Sequence, residues 1–272
     1  MTCLQPDRLP PVPAGPSRTS QAVALTRAAL RRPSSPAGDP EAQRALCAGL
    51  EFSPPQSLRP SIEVRTEFMD GHVLTALAAG VRQVVICGAG LDDRALRFRT
   101  PGVRFFEVDH PATQADKARR LRAMRAHDGP VLVACDFESE PVDGALAACG
   151  HDPARPSLFL CEGLLVYLHE ATCEQLLAGL ASVAPAGSVL AASLATHSAE
   201  VSSAEVAAAA NARRRTSAAE PWRTILPRAE HLAMLARAGW TVTAVADSPS
   251  AIADVSPGRG SILVSAQPAP PR

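Results

Sequence analysis

The stretch Val84-Val85-Ile86-Cys87-Gly88-Ala89-Gly90-Leu91-Asp92 constrains the fold more than any other part of the chain. Its apolar, β-branched opening suits a strand covered on both faces. The two glycines spaced by one residue predict a tight turn, at which backbone amides can approach a ligand that a Cβ would exclude. A strand buried on both faces requires helices on either side of a sheet. The expectation is therefore an α/β fold with a ligand at the C-terminal edge of a parallel sheet.

The rest of the chain supplies the matching pieces. Strands are predicted at Arg82–Cys87, Val103–Asp109, Val131–Asp136, Ser157–Glu162 and Gly187–Leu194, with helices between them from Pro111 to about Arg125 and from Ala171 to Ala184. Alternation at this spacing argues for a parallel, doubly wound sheet. A helix over Arg228–Arg237, ended by Gly239, precedes an antiparallel strand pair at Trp240–Val245 and Ser261–Ser265, which brings the expected sheet to seven strands. Three helical stretches precede the first strand: one starting near Ser17 or Thr19, one with Asp39 as N-cap and Pro40 at its first position, and one reaching Gly80. The expected organisation is a proline-rich tail over 1–16, one domain over 17–266 and a short tail over 267–272. Within the domain, 17–81 would form a helical cap and the Ala/Ser-rich stretch 196–222, with Arg213-Arg214-Arg215, a lid insertion.

Composition narrows the partners. Lys plus Arg equals Asp plus Glu at 27 each, so no overall field favours nucleic acid or an anionic membrane. Met1–Asp7 shows no basic segment followed by an apolar core, and no apolar run reaches the ~18 residues of a membrane span. The expectation is a soluble, cytoplasmic protein. The seven cysteines form no CxxC pair and no grouping with histidine at ligand spacing, so they read as small buried residues and no metal site is expected.

The chemistry lies in the acids that close the strands. The first strand ends in Gly88-Ala89-Gly90, the second in Glu107-Val108-Asp109, the third in Asp136 and the fourth in Glu162. In a parallel sheet these ends share one rim, where open α/β folds bind ligands. Asp109 lies 19 residues beyond Gly90, near the ~20-residue offset at which an acid meets ribose hydroxyls. Asp136 can accept from an exocyclic amine, Phe137 offers a flat apolar surface to a purine, and Glu162 can neutralise an ammonium group. Glu107 shares a strand face with Asp109, which stands nearer the rim. Two ligands compete for these residues, and S-adenosyl-L-methionine fits them better. A nicotinamide dinucleotide would want a third glycine at position 93, where Asp93 stands beside Asp92. S-adenosyl-L-methionine, with its sulfonium and ammonium, has uses for acids. Asp92, Arg94 and Arg97 read as an ion-paired scaffold for the turn.

The same residues resemble a known family. Gln83–Arg97, Phe106-Glu107-Val108-Asp109-His110-Pro111 with Lys117, Cys161-Glu162-Gly163-Leu164-Leu165-Val166-Tyr167-Leu168 and Arg65-Thr66-Glu67-Phe68-Met69-Asp70 are together similar to the leucine carboxyl methyltransferase family, including its bacterial S-adenosylmethionine-dependent members. The resemblance runs from about Ser17 to Ser265. It implies a Rossmann-like class I methyltransferase fold: a mostly parallel seven-stranded sheet with helices on both faces and an antiparallel final strand. It also implies that Arg65 holds the cofactor's carboxylate, that Gly88, Ala89 and Gly90 pass under its methionine part, and that Asp109, Asp136, Phe137 and Glu162 keep the roles given above. Cys87 stands where leucine is usual and Asp93 where threonine is usual.

The acceptor is read from what is missing. A carboxylate is already anionic at neutral pH, whereas a phenol, with a pKa of about 10, needs a base or a strong polarising group. No triad or dyad pattern is visible among the seven histidines. Tyr167 and His197 are the candidates for orienting an acceptor oxygen. The expected activity is O-methylation of a small-molecule carboxylate, giving a methyl ester and S-adenosyl-L-homocysteine. Hydroxyl or phenol methylation of a secondary metabolite and an NAD(P)-dependent oxidoreductase are the alternatives.

Overall fold

The computed structural model describes residues 17–51, 53–126, 128–198, 222–249 and 259–270. The expected N-terminal tail and most of the expected lid, including Arg213–Arg215, lie outside these residues. One sheet contains β1 (Gln83–Cys87), β2 (Arg104–Asp109), β3 (Val131–Ala134), β4 (Ser157–Cys161), β5 (Val189–His197), β6 (Trp240–Ser248) and β7 (Arg259–Pro268), in the order β3-β2-β1-β4-β5-β7-β6. Pairings from β3 through β5 are parallel, and β7 runs antiparallel to both β5 and β6. This is the sheet expected from the sequence, and β1 sits centrally with every residue buried.

Helices cover both faces. Val85, Phe106, Phe159 and Leu190 point to the face closed by α6 (Val142–Ala148), α7 (Glu170–Ser182) and α8 (Arg228–Arg237), through Leu146, Leu177 and Leu235. Val84, Ile86, Phe105 and Leu160 point to the opposite face, closed by α3 (Arg59–Ala78), the short α4 (Arg94–Arg97) and α5 (Pro111–Ala123). Alternate residues of each strand thus feed separate cores, as period-two geometry requires.

Four of the differences from expectation have identifiable reasons. The second helix is only α2 (Ala42–Leu46): Asp39 Oδ1 accepts from the Glu41 amide at 2.8 Å, and the Pro40 carbonyl accepts from Arg97, so the predicted first turn is a loop docked on the core. In α3, Met69, Val73 and Ala76 pack on the sheet, so this part of the expected cap is a sheet-covering layer. Strand β5 continues to His197 because β7 pairs with it from Leu190 to that residue. Gln267 and Pro268, expected in a frayed tail, pair with Thr241 and Trp240.

α1 (Arg18–Ala28) starts at Ser17, whose hydroxyl accepts from the Ser20 amide at 3.0 Å. This helix lies across the glycine turn after β1, and the site begins there.

Candidate active site

The turn is held from below by β2. Gly88 donates to the Val108 carbonyl at 2.8 Å and Gly90 to Asp109 Oδ2 at 2.6 Å, while Asp109 Oδ1 accepts from the His110 amide at 2.7 Å. Gly88 and Gly90 have φ of +64° and +50°. A Cβ on Gly88 would stand 2.9 Å from Leu164, and one on Gly90 would stand 2.7 Å from Ser20 of α1. Both glycines are therefore required by packing within the protein as well as by turn geometry.

Around the turn lies a buried ion-pair network. Arg94, fully buried, bridges Asp70 (2.7 Å), Asp92 (2.5 Å) and Glu162 (2.7 Å). Arg27 of α1 reaches Asp92 at 3.3 Å and Glu162 at 2.9 Å. Arg32, just beyond α1, pairs with Asp70 and Asp93, and Arg97 with Asp93. Asp92, Arg94 and Arg97 form the ion-paired scaffold expected for the turn, with Asp93 also inside it. Removing such charges from water is costly, and only the crossed pairing makes the cluster tolerable. Burial alone would raise the Glu162 carboxyl, but Arg27, Arg94 and Arg65 hold it well below the usual carboxylate range. Burial likewise opposes ionisation of Asp93, and Arg32, Arg27 and Arg97 reverse it.

A cavity of about 670 Å³ opens above this network. Its lining comes from α1, the start of α3, the ends of β1, β2 and β4, the 3-10 turn Leu165–Tyr167, β5, β7 and Trp222. Arg65, Gly88, Ala89, Asp109, Glu162 and Tyr167, all predicted from sequence, line it. Arg65 gives its Nε to Glu162 at 3.0 Å, and its two terminal amino groups have no acceptor among the described residues. Burial raises the Asp109 carboxyl against the pull of the Gly90 and His110 amides.

Other predicted residues are placed differently. Gly90 lies under Ser20, outside the lining. Asp136 and Phe137 stand past the end of β3, also outside it: Asp136 Oδ1 accepts from the Glu138 amide at 3.1 Å, and Phe137 packs against the core. His197 Nδ1 contacts the Ser198 carbonyl at 2.8 Å and does not line the cavity. Glu162 was expected as the counter-ion of a ligand's ammonium, yet both its oxygens already accept from arginines. Glu107 is buried against Lys117, which also donates to the Asp92 carbonyl at 2.6 Å. The sequence reading missed Arg27, His110 and Ser193 in the lining. An arginine in a helical stretch and a serine in a strand carry no local signal of a site.

Among the described residues there is no cluster that could hold a metal ion, and no helix long and apolar enough to cross a membrane.

Comparison with known proteins bears on the fold and the family. A candidate methyltransferase from Thermobifida fusca superimposes with a TM-score of 0.58 at 17% identity, covering 94% of this chain and 96% of that one. A DUF574-family protein from Streptomyces avermitilis gives a TM-score of 0.58 at 18% identity, covering 94% and 98%. These likenesses establish the fold. A candidate S-adenosyl-L-methionine-dependent methyltransferase of Streptomyces avermitilis is 45% identical over 158 residues, 57% of this chain and 53% of the relative. The chain's matches span about half the length of such curated relatives. The family model for leucine carboxyl methyltransferases matches residues 20–181, from α1 through most of α7. That match spans more than half of the chain, and the chain belongs to the leucine carboxyl methyltransferase family.

Proposed function

We propose that this chain is an S-adenosyl-L-methionine-dependent O-methyltransferase and that its acceptor is a small-molecule carboxylate. S-adenosyl-L-methionine, when bound, supplies an electrophilic methyl carbon on a sulfonium. The residues present suit it: Arg65 offers free donors to a carboxylate at the cavity wall, Asp109 offers its remaining lone pairs to ribose hydroxyls, and Gly88 and Ala89 form the floor. Glu162 acts as the hub that fixes Arg27, Arg65 and Arg94.

The observation that carries the choice of acceptor is the engagement of the carboxylates, the histidine and the cysteine of the described lining, the groups nearest to serving as a base. Asp92 and Glu162 are ion-paired, and Asp109 is held by two amides. His110 Nδ1 accepts from the Ala112 amide at 3.2 Å, which puts the proton of the neutral ring on Nε2. The Cys87 thiol is pushed well up by its hydrogen bond with Cys161 and by burial. Such a wall favours an acceptor that arrives as an anion, and a carboxylate does so at neutral pH. Alignment and exclusion of water then do the remaining work.

The test is methyl transfer from labelled S-adenosyl-L-methionine to a panel of carboxylic acids, with methanol release under mild alkali as the readout. Labile product is expected. Alkali-stable product would replace the carboxylate by a hydroxyl acceptor, and saturable NAD(H) binding without S-adenosyl-L-homocysteine binding would replace the enzyme class.

A further inference from the structure

The cavity is longer than the cofactor motifs require. Those motifs sit at the ends of β2, β1 and β4, whereas the lining continues past β4 to Ser193 and Ala195 of β5 and Ser261 of β7. From β2 to β7 is four strand intervals, roughly 19 Å at the usual spacing. Val166, Tyr167 and Trp222 also contribute lining, and none of these six residues is charged at neutral pH.

Resting on the methyltransferase reading, we propose that this β5–β7 end is the acceptor subsite and that Ser193 is the hydrogen-bond donor that positions the acceptor's carboxylate. Ser193 follows the Cys161–Ala192 pair and is buried, with 6% of its surface exposed. Its oxygen accepts from the Gly163 amide at 2.8 Å. A serine hydroxyl has one proton to give, and that of Ser193 has no acceptor among the described residues. Ser261, its neighbour in the lining, already donates to the Leu194 carbonyl at 3.2 Å. The turn at Gly163 fixes the arrangement: it has a φ of +63°, and a Cβ there would stand 3.3 Å from the Arg65 guanidinium. Arg65 and Ser193 therefore meet the same residue, the cation packed on its α-carbon and the hydroxyl bound to its amide.

This placement suits the reaction. One carboxylate oxygen attacks the methyl carbon while the other accepts from Ser193. The C–O bond forms, the C–S bond breaks with its electrons left on sulfur, and the products are a neutral ester and a neutral thioether with no proton released. An anion and a cation are consumed together, so an uncharged wall that excludes water favours the step. The family match ends at residue 181, so Ser193, Ala195, Trp222 and Ser261 lie beyond it.

The experiment compares wild type with Ser193→Ala and Ser193→Thr. S-adenosyl-L-homocysteine is titrated first, then benzoate, phenylacetate and hexanoate are titrated into each saturated complex while the Gly163 amide resonance is followed. Expected results are S-adenosyl-L-homocysteine affinities equal within about twofold, carboxylate binding to wild type that shifts Gly163, an approximately tenfold loss in Ser193→Ala, and retention in Ser193→Thr, the scale of one hydrogen bond. Absence of carboxylate binding at millimolar concentration overturns the proposal. So does an equal loss in both variants, or a Ser193→Ala protein that loses the cofactor product as well. Failure of wild type to bind S-adenosyl-L-homocysteine overturns the cofactor reading itself.

Discussion

The two ends of the cavity are built on opposite principles. The β2-β1-β4 end is paved with charge: Arg27, Arg65, Asp92, Asp109 and Glu162 line it, and Arg94, Asp70 and Asp93 brace it from behind. The β5–β7 end carries hydroxyls and apolar surface. The first lies within the family match, and of the second only Val166 and Tyr167 do. A scaffold that fixes a charged ligand needs crossed ion pairs whose members cannot be removed singly. A wall that selects among acceptors can vary one side chain at a time, because none of its members holds a buried charge.

The comparison breaks most visibly at Arg94. Replacing it by Met leaves Asp70, Asp92 and Glu162 short of a buried partner, and removing one side of a buried pair costs about 3–5 kcal/mol. The urea midpoint of Arg94→Met should fall accordingly, with S-adenosyl-L-homocysteine binding lost. Ser193→Ala should cost about 1 kcal/mol, one neutral hydrogen bond. Similar losses for the two variants would show that the ends are not energetically distinct.

A second test uses pH and the buried Glu107–Lys117 pair, which lies under the charged end without lining it. Burial pushes the Glu107 carboxyl up to about 7, against the attraction of Lys117. A folded-state value above the ordinary 4.5 means that the folded protein keeps a proton the unfolded chain has lost. Between about pH 4.5 and 7 this group therefore makes the protein less stable as pH rises, by up to ~3 kcal/mol over the window. Glu162 and Asp93 work in the other direction. Their depressed values stabilise the fold above the ordinary carboxylate range, and that stability is lost as pH falls through their folded values. Urea midpoints across pH 4.5–7 should slope less with rising pH in the negative sense for Glu107→Gln than for wild type. Parallel profiles would show that Glu107 is ionised throughout by its lysine.

What was legible in the sequence follows the same division. Apolar runs closed by Gly88-Ala89-Gly90, Asp109 and Glu162 announced strands and a common rim, because a parallel sheet places strand ends on one edge. Their roles were less visible. Glu162 reads as a free acid until the fold brings Arg27 from 135 residues away, and no periodicity records that meeting. Gly90 reads as space for a ligand, yet α1 fills part of that space with Ser20. Ser193 was invisible, since a serine between Ala192 and Leu194 in a strand has no pattern of its own. Tertiary pairings decide these roles, and local sequence does not encode them.

The smallest expected effect concerns Asp136, which the family resemblance assigns to adenine and which the cavity leaves outside its lining. Its Oδ1 already serves the Glu138 amide, and its own amide donates to Glu140 Oε2 at 3.3 Å. Only Oδ2 is left for a base that reaches past β2 toward β3. One solvent-accessible hydrogen bond is worth about 0.5–1.5 kcal/mol, and the existing turn keeps the loop in place. Asp136→Ala should therefore weaken S-adenosyl-L-homocysteine binding by about two- to tenfold. Asp109→Asn should weaken it by more than tenfold, because that carboxylate anchors the glycine turn through charge-assisted bonds. Calorimetric titration of the two variants separates the possibilities. Equal losses would show that the loop after β3 closes onto the adenine and that the charged end of the site extends one strand further than the cavity does.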